Sequence, residues 1–148
     1  MTIDDHSFKT LTITMLMTPA LANFSGNVHG GQLLKILDEV AYACAARYCG
    51  NYAVTLSVDK VIFRHPIKVG NLVHFYASVN YTGKSSMEIG IKVVAEDIQG
   101  RYCFHTNTAF FTMVARKDGK SCPVPQLVPE TEEEKRRYEK AKARREKK

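Results

Sequence analysis

The chain switches its hydrophobic period at one place, and that switch limits what it can fold into. In GQLLKILDEVAYACAARY (31–48) apolar residues return every three or four positions. Leu33, Ile36, Leu37, Val40, Ala41 and Cys44 therefore share one broad helical face. Ala is frequent there and Pro absent, as a helix interior prefers, and Gly50 is placed to cap the end. After Gly50 the period becomes two. YAVTLSVDKVIFRHP (52–66) sets Val54, Leu56, Val58 and Lys60 on one side, and MEIGIKVVAEDIQG (87–100) sets Met87, Ile89, Ile91 and Val93 against Glu88 and Lys92. NLVHFYASVNYTG (71–83) and RYCFHTNTAFFTMVAR (101–116) read as two more strands, and FKTLTITMLM (8–17) as one before the helix. A lone amphipathic helix buries its face on a sheet. The expectation is an α+β fold: strand, loop, one long helix, then four strands in a meander, giving an antiparallel sheet of about five strands wrapped around the central helix.

The chain's 148 residues fit one domain, expected over 1–129. The remainder, 130–148, holds nine Lys/Arg and six Glu with almost no apolar residues. It is expected to be a charged tail, a solvated helix or disordered, with Glu132/Arg136 and Glu133/Arg137 at i,i+4 spacing. Since +3 of the net +6 sits in this tail, the body is only weakly basic. No nucleic-acid partner is expected, although a basic surface attracts small phosphorylated ligands.

The apolar runs fall far short of the roughly 20 residues of a membrane span, and MTIDDHSFKT lacks the basic start of a signal peptide. The four cysteines form no CxxC pair or zinc-type cluster, and His6, His65, His74 and His105 are scattered. Reduced thiols, a cytoplasmic location, no metal and no membrane association are expected.

Candidate chemistry gathers at the helix. Gly30 and Gly31 bare its first turn, where free N–H groups and a partial positive charge suit a carbonyl becoming an oxyanion. The pair could equally serve only close packing of helix on sheet. Asp38, beside the apolar face, needs a partner or a purpose. It lies eight residues past Gly30, about 12 Å along the axis. One substrate carbonyl cannot touch both on one helix. Two antiparallel copies across a two-fold axis would bring Gly30 of one to Asp38 of the other, so the catalytic reading requires a homodimer. Asn23, in the preceding loop, is either a turn residue or a second donor to the oxyanion. His29 could shape a pocket, titrate near neutral pH, or cover the helix end.

The segments MTPALANFSGNVHGGQLLKILDEVAYACAARY, VTLSVDKVIFRHPIKVGN, NYTGKSSMEIGIKV and TAFFTMVARKDGKSCPVPQLVP together resemble the hotdog-fold acyl-CoA thioesterases, in the YciA-like and brain acyl-CoA hydrolase-like branch. The resemblance runs from about residue 10 to 129. It implies hydrolysis of acyl-CoA to free fatty acid and coenzyme A, with Asp38 as base or nucleophile and with Asn23 and the N–H of Gly30 or Gly31 polarising the thioester. It also implies a site shared by two subunits, often within a trimer of dimers. No cofactor is implied, since coenzyme A belongs to substrate and product. The turn Gly83, Lys84, Ser85 and Ser86 is expected near the CoA phosphates, with help from Arg64 or Arg116. The alternative is a non-catalytic acyl-CoA-binding module of the same fold. A dehydratase would be expected to use a His, and only His29 is near.

Overall fold

The computed structural model describes residues 8–59 and 61–147. The elements are β1 (Thr10–Leu16), α1 (Gly30–Cys49), β2 (Tyr52–Val58), β3 (Leu72–Thr82), β4 (Ser86–Asp97), β5 (Tyr102–Lys117), β6 (Lys120–Ser121) and α2 (Glu132–Glu146), with a 3-10 turn at Pro19–Leu21. The strands form one antiparallel sheet in the order β1-β3-β4-β5-β2, and the two-residue β6 pairs with β5.

All six apolar residues expected on the helix face are buried. They meet Phe75 and Val79 of β3, Met87, Ile89 and Ile91 of β4, and Phe111 and Met113 of β5 in a single core. Burying a Leu- or Ile-sized side chain is worth about 1.5–3 kcal/mol, so this seam anchors α1 across the sheet. The helix ends at Gly50, whose φ of +72° is the left-handed cap conformation and whose N–H reaches the Ala46 carbonyl at 2.8 Å.

Two expectations need correction. β3, β4 and β5 form a meander, but β2 does not join it at β3. It pairs with β5 at the far edge, and β1 takes the place beside β3. Alternation says which side chains face the core and is silent on which strand is the neighbour. β2 is also shorter than the alternating pattern through residue 66. A bulge between Thr55 and Ser57 breaks its register against β5, and after Val58 the chain leaves the sheet. Lys60, read as part of that strand, lies outside the described residues, as does His6.

The C-terminal segment is helical, and it is docked rather than free. Thr131 caps α2 by accepting the Glu134 N–H at 3.0 Å, and the Glu134 carboxylate accepts the Glu130 N–H at 2.9 Å. That backbone hydrogen bond, with Lys9 nearby, lowers the Glu134 pKa. On the sheet face opposite α1, Ala141 is fully buried and Tyr138 packs on Tyr81 with ring centroids 4.9 Å apart. Arg144 pairs with buried Glu88 and lies 3.7 Å above the Phe110 ring. Among the described residues no helix is long and apolar enough to cross a membrane.

Candidate active site

The expected site residues separate into three groups within one chain. The first surrounds the start of α1. The preceding loop folds back on the helix through an Ala22–Val28 bridge and a His29 N–H to Leu21 carbonyl bond of 2.7 Å. Asn23 is exposed, and its Oδ1 accepts the Ser25 N–H at 2.9 Å, the Ser25 hydroxyl at 2.7 Å and the Asn27 N–H at 3.2 Å. Oδ1 therefore builds the turn, and the Nδ2 donors have no hydrogen bond among the described residues. Both readings of Asn23 fit one side chain: its oxygen shapes the loop and its amide N–H groups meet no acceptor among the described residues.

His29 is the N-cap of α1. Its Nδ1 accepts the Gly31 N–H at 3.0 Å, which assigns the ring proton to Nε2 in the neutral form. This distinguishes the two glycines. The Gly31 N–H is engaged, whereas that of Gly30 has no hydrogen bond among the described residues. Phe63 packs nearby: a Cβ on Gly30 would lie 3.8 Å from its ring. No acidic side chain occupies the first turn, so the helix itself leaves the partial positive charge of its start without a carboxylate.

The second group lies two turns along the helix. Asp38 is exposed, and its Oδ1 accepts a 2.6 Å hydrogen bond from the Thr55 hydroxyl across the α1–β2 junction. Thr55 sits on β2 opposite Met113, immediately before the bulge. Sequence reasoning missed it, because a Thr in an alternating strand is ordinary. Only the packing of β2 along α1 brings it to Asp38.

The third group is the β3–β4 hairpin turn, closed by the Gly83 N–H to the Ser86 carbonyl at 2.9 Å. Lys84 is exposed, and Ser86 Oγ accepts from Arg145 of α2. Ser86 is opposite Val114, so this turn and Arg116 share the Thr55 end of the sheet. Arg64 follows Phe63, near the helix start. Within one chain the residues expected to hold CoA thus stand in two places. Among the described residues no cluster of three or more His, Cys, Asp or Glu is placed for a metal ion.

Residues 25–101 match the Thioesterase superfamily. The chain belongs to that family. Curated relatives include protein VdlD of Helicobacter pylori, 52% identical over 98% of this chain and 83% of that protein. Another is the human cytosolic acyl coenzyme A thioester hydrolase, 41% identical over 93% of this chain but only 37% of that longer protein. A crystal structure of an apo-hexameric acyl-CoA thioesterase superposes with a TM-score of 0.89 at 37% identity, covering 93% of this chain and 89% of the other. The acyl-CoA hydrolase of Staphylococcus aureus, solved with butyryl coenzyme A, coenzyme A and coenzyme A disulfide, gives 0.86 at 32% identity over 93% and 85%. That enzyme has also been solved with single alanine replacements of an Asn, an Asp and a Thr. The three are spaced by 15 and 17 residues, the spacing of Asn23, Asp38 and Thr55 here. The hotdog architecture expected from the sequence is the fold the chain has.

Proposed function

We propose that this protein is an acyl-CoA thioester hydrolase whose reaction centre is completed between two copies of the chain. The observation that carries the proposal is the Thr55–Asp38 hydrogen bond. It fixes one carboxylate oxygen and leaves the other free to act on water or on the thioester carbon. From the second copy, the Gly30 N–H and the Asn23 amide receive the carbonyl oxygen as it gains charge. A C–O bond forms at the acyl carbon, the C–S bond breaks, and coenzyme A departs as thiolate, a good leaving group.

A dimeric site is supported by the surface that α1 and β2 present. Leu34, Tyr42, Tyr52, Leu56 and Val58 are large, apolar and exposed, and β2 has a free edge. The hexameric relative supports a trimer of dimers. The CoA phosphates fall to Lys84, with Gly83, Ser85 and Ser86 shaping the turn, assisted by Arg116 and by Arg64 of the second copy. Four free thiols suit a cytoplasmic location.

The test is free-thiol release from acyl-CoAs of graded chain length. Wild type should release coenzyme A, and Asp38→Asn should lose at least about 10²-fold in kcat while assembling normally. Turnover by Asp38→Asn at the wild-type rate would remove Asp38 from the mechanism. Binding of acyl-CoA by wild type without release would leave a non-catalytic binding module.

A further inference from the structure

Phe24 is fully exposed, between Asn23 and Ser25 at the tip of the loop before α1. A single exposed apolar residue is ordinary. This one is set apart by its neighbour Asn23 and by the rigidity of the turn that carries it. Ala22 bridges Val28, Asn27 bridges Lys68, and the Asn23 N–H donates to the Asn27 carbonyl at 2.7 Å. Gly26 reverses the chain at φ +83°, a conformation that favours glycine. With the three bonds that Asn23 Oδ1 accepts, the turn is fixed and Phe24 stands on it.

The two-copy site determines what lies opposite this turn. Leu34, Asp38 and Tyr42 form an i,i+4 row on one side of α1, and all three are exposed. Antiparallel helices that bring Gly30 of one copy to Asp38 of the other put Leu34, midway between them, on the two-fold axis against its own counterpart. The same register puts Tyr42, one turn past Asp38, opposite the chain one turn's worth of residues before Gly30, which is the Asn23 loop. Both positions carry large side chains open to solvent in the single chain, 41% exposed at Leu34 and 39% at Tyr42. Tyr42 does not stand alone: its ring lies 5.8 Å from that of Tyr52, tilted at 57°, and Tyr52 is itself exposed.

We propose that Phe24 of each copy seats on the Tyr42–Tyr52 ring pair of the second copy and thereby positions the Asn23 amide and the Gly30 N–H over that copy's Asp38. The proposal rests on the two-copy thioester reading and supplies its positioning residue. Tilted aromatic rings take a further ring edge to face. Because the turn is already fixed, little freedom is lost when Phe24 docks. Misplacing the donors by about 1 Å is enough to slow turnover strongly.

Phe24→Ala should lower kcat by about tenfold or more while KM for acyl-CoA changes by less than about twofold, with the circular dichroism of the folded chain unchanged. Phe24→Leu, which keeps an apolar side chain, should recover most of the loss. Mixing Phe24→Ala with Asp38→Asn should restore about a quarter of wild-type activity, because a mixed dimer then holds one intact site. Mixing Phe24→Ala with Asn23→Asp should add nothing, because the two faults fall in different sites. The reverse pattern of mixing, or a wild-type kcat in Phe24→Ala, would overturn the proposal. Analytical ultracentrifugation keeps its failure apart from that of the thioester reading. Wild type that dimerises without releasing thiol would sink that reading alone. A dimer weakened about tenfold by Phe24→Ala supports the docking, and unchanged dissociation refutes it. Phe24→Ala combined with Tyr52→Ala should weaken the dimer less than the sum of the single changes, since both remove one shared contact. Additive losses would place Phe24 elsewhere.

Discussion

Thr55 and His29 are single side chains that decide what their neighbours can do. Thr55→Val removes the only hydrogen bond that the Asp38 carboxylate makes among the described residues. Turnover is expected to fall by about tenfold or more, and Thr55→Ser, which keeps the hydroxyl, should recover most of it. Steady-state kinetics on the two variants separates a positioning hydroxyl from a packing role. His29→Ala removes the cap on the Gly31 N–H and should lower stability by about 1 kcal/mol, read from denaturant midpoints at neutral pH.

Cys44 offers a chemical check on the core. Burial pushes its thiol up to about 12, with Arg47 opposing. It should resist alkylation at pH 8 in the folded protein, while exposed Cys103 reacts. Mass spectrometry after iodoacetamide treatment, with and without denaturant, reads both. The linkage follows from the raised pKa. The contribution is fully present below the unfolded value of about 9 and is lost as pH rises from there toward 12, because the unfolded chain releases its proton first.

Among the elements, α2 is where composition and packing diverge most. Its residues lack the apolar stripe that ordinarily signals docking, yet Ala141 is fully buried and Arg144 reaches Glu88 56 positions away. Glu88→Gln leaves a partly buried guanidinium without its counter-charge and should cost about 1–3 kcal/mol. Replacing both partners by apolar residues, Glu88→Leu with Arg144→Met, should cost less than the single change. A double-mutant cycle from urea unfolding checks the order. α1 is the opposite case: its six apolar contacts and its Gly50 cap follow from local pattern, and each stands where that pattern puts it. β2 falls between them. Its existence was legible at Val54 and Val58, but the bulge that shifts its register and its place beside β5 depend on strands that come later in the chain.

For the whole molecule, the separation of Gly30 from Asp38 along one helix is the controlling fact. Asn23→Asp keeps the oxygen that builds the loop and deletes the amide donors, so it should impair turnover without unfolding the loop. If each site takes Asn23 and Gly30 from one copy and Asp38 and Thr55 from the other, a dimer mixing Asn23→Asp with Asp38→Asn contains one intact site. Statistical mixing of two inactive variants should then restore about a quarter of wild-type activity. Recovery of none, with mixed dimers shown to form, would place the whole site within one chain.

The chain's local pattern by itself determined the long helix, its buried face and its Gly50 cap, because those depend on residues within a few positions of one another. It also marked Asp38 and the glycines as unusual, because a carboxylate beside an apolar stripe and a bared helix start are local anomalies, whereas Asn23 read equally as a turn residue. The tertiary structure alone decided that Thr55 holds Asp38, that His29 engages Gly31 and leaves Gly30 open, that β2 stands next to β5, and that a basic helix lies against the sheet. Apart from the short His29 cap, these are contacts between distant parts of the chain. Side-chain alternation is the same whichever strand is adjacent, and charge composition is the same whether a helix is docked or free.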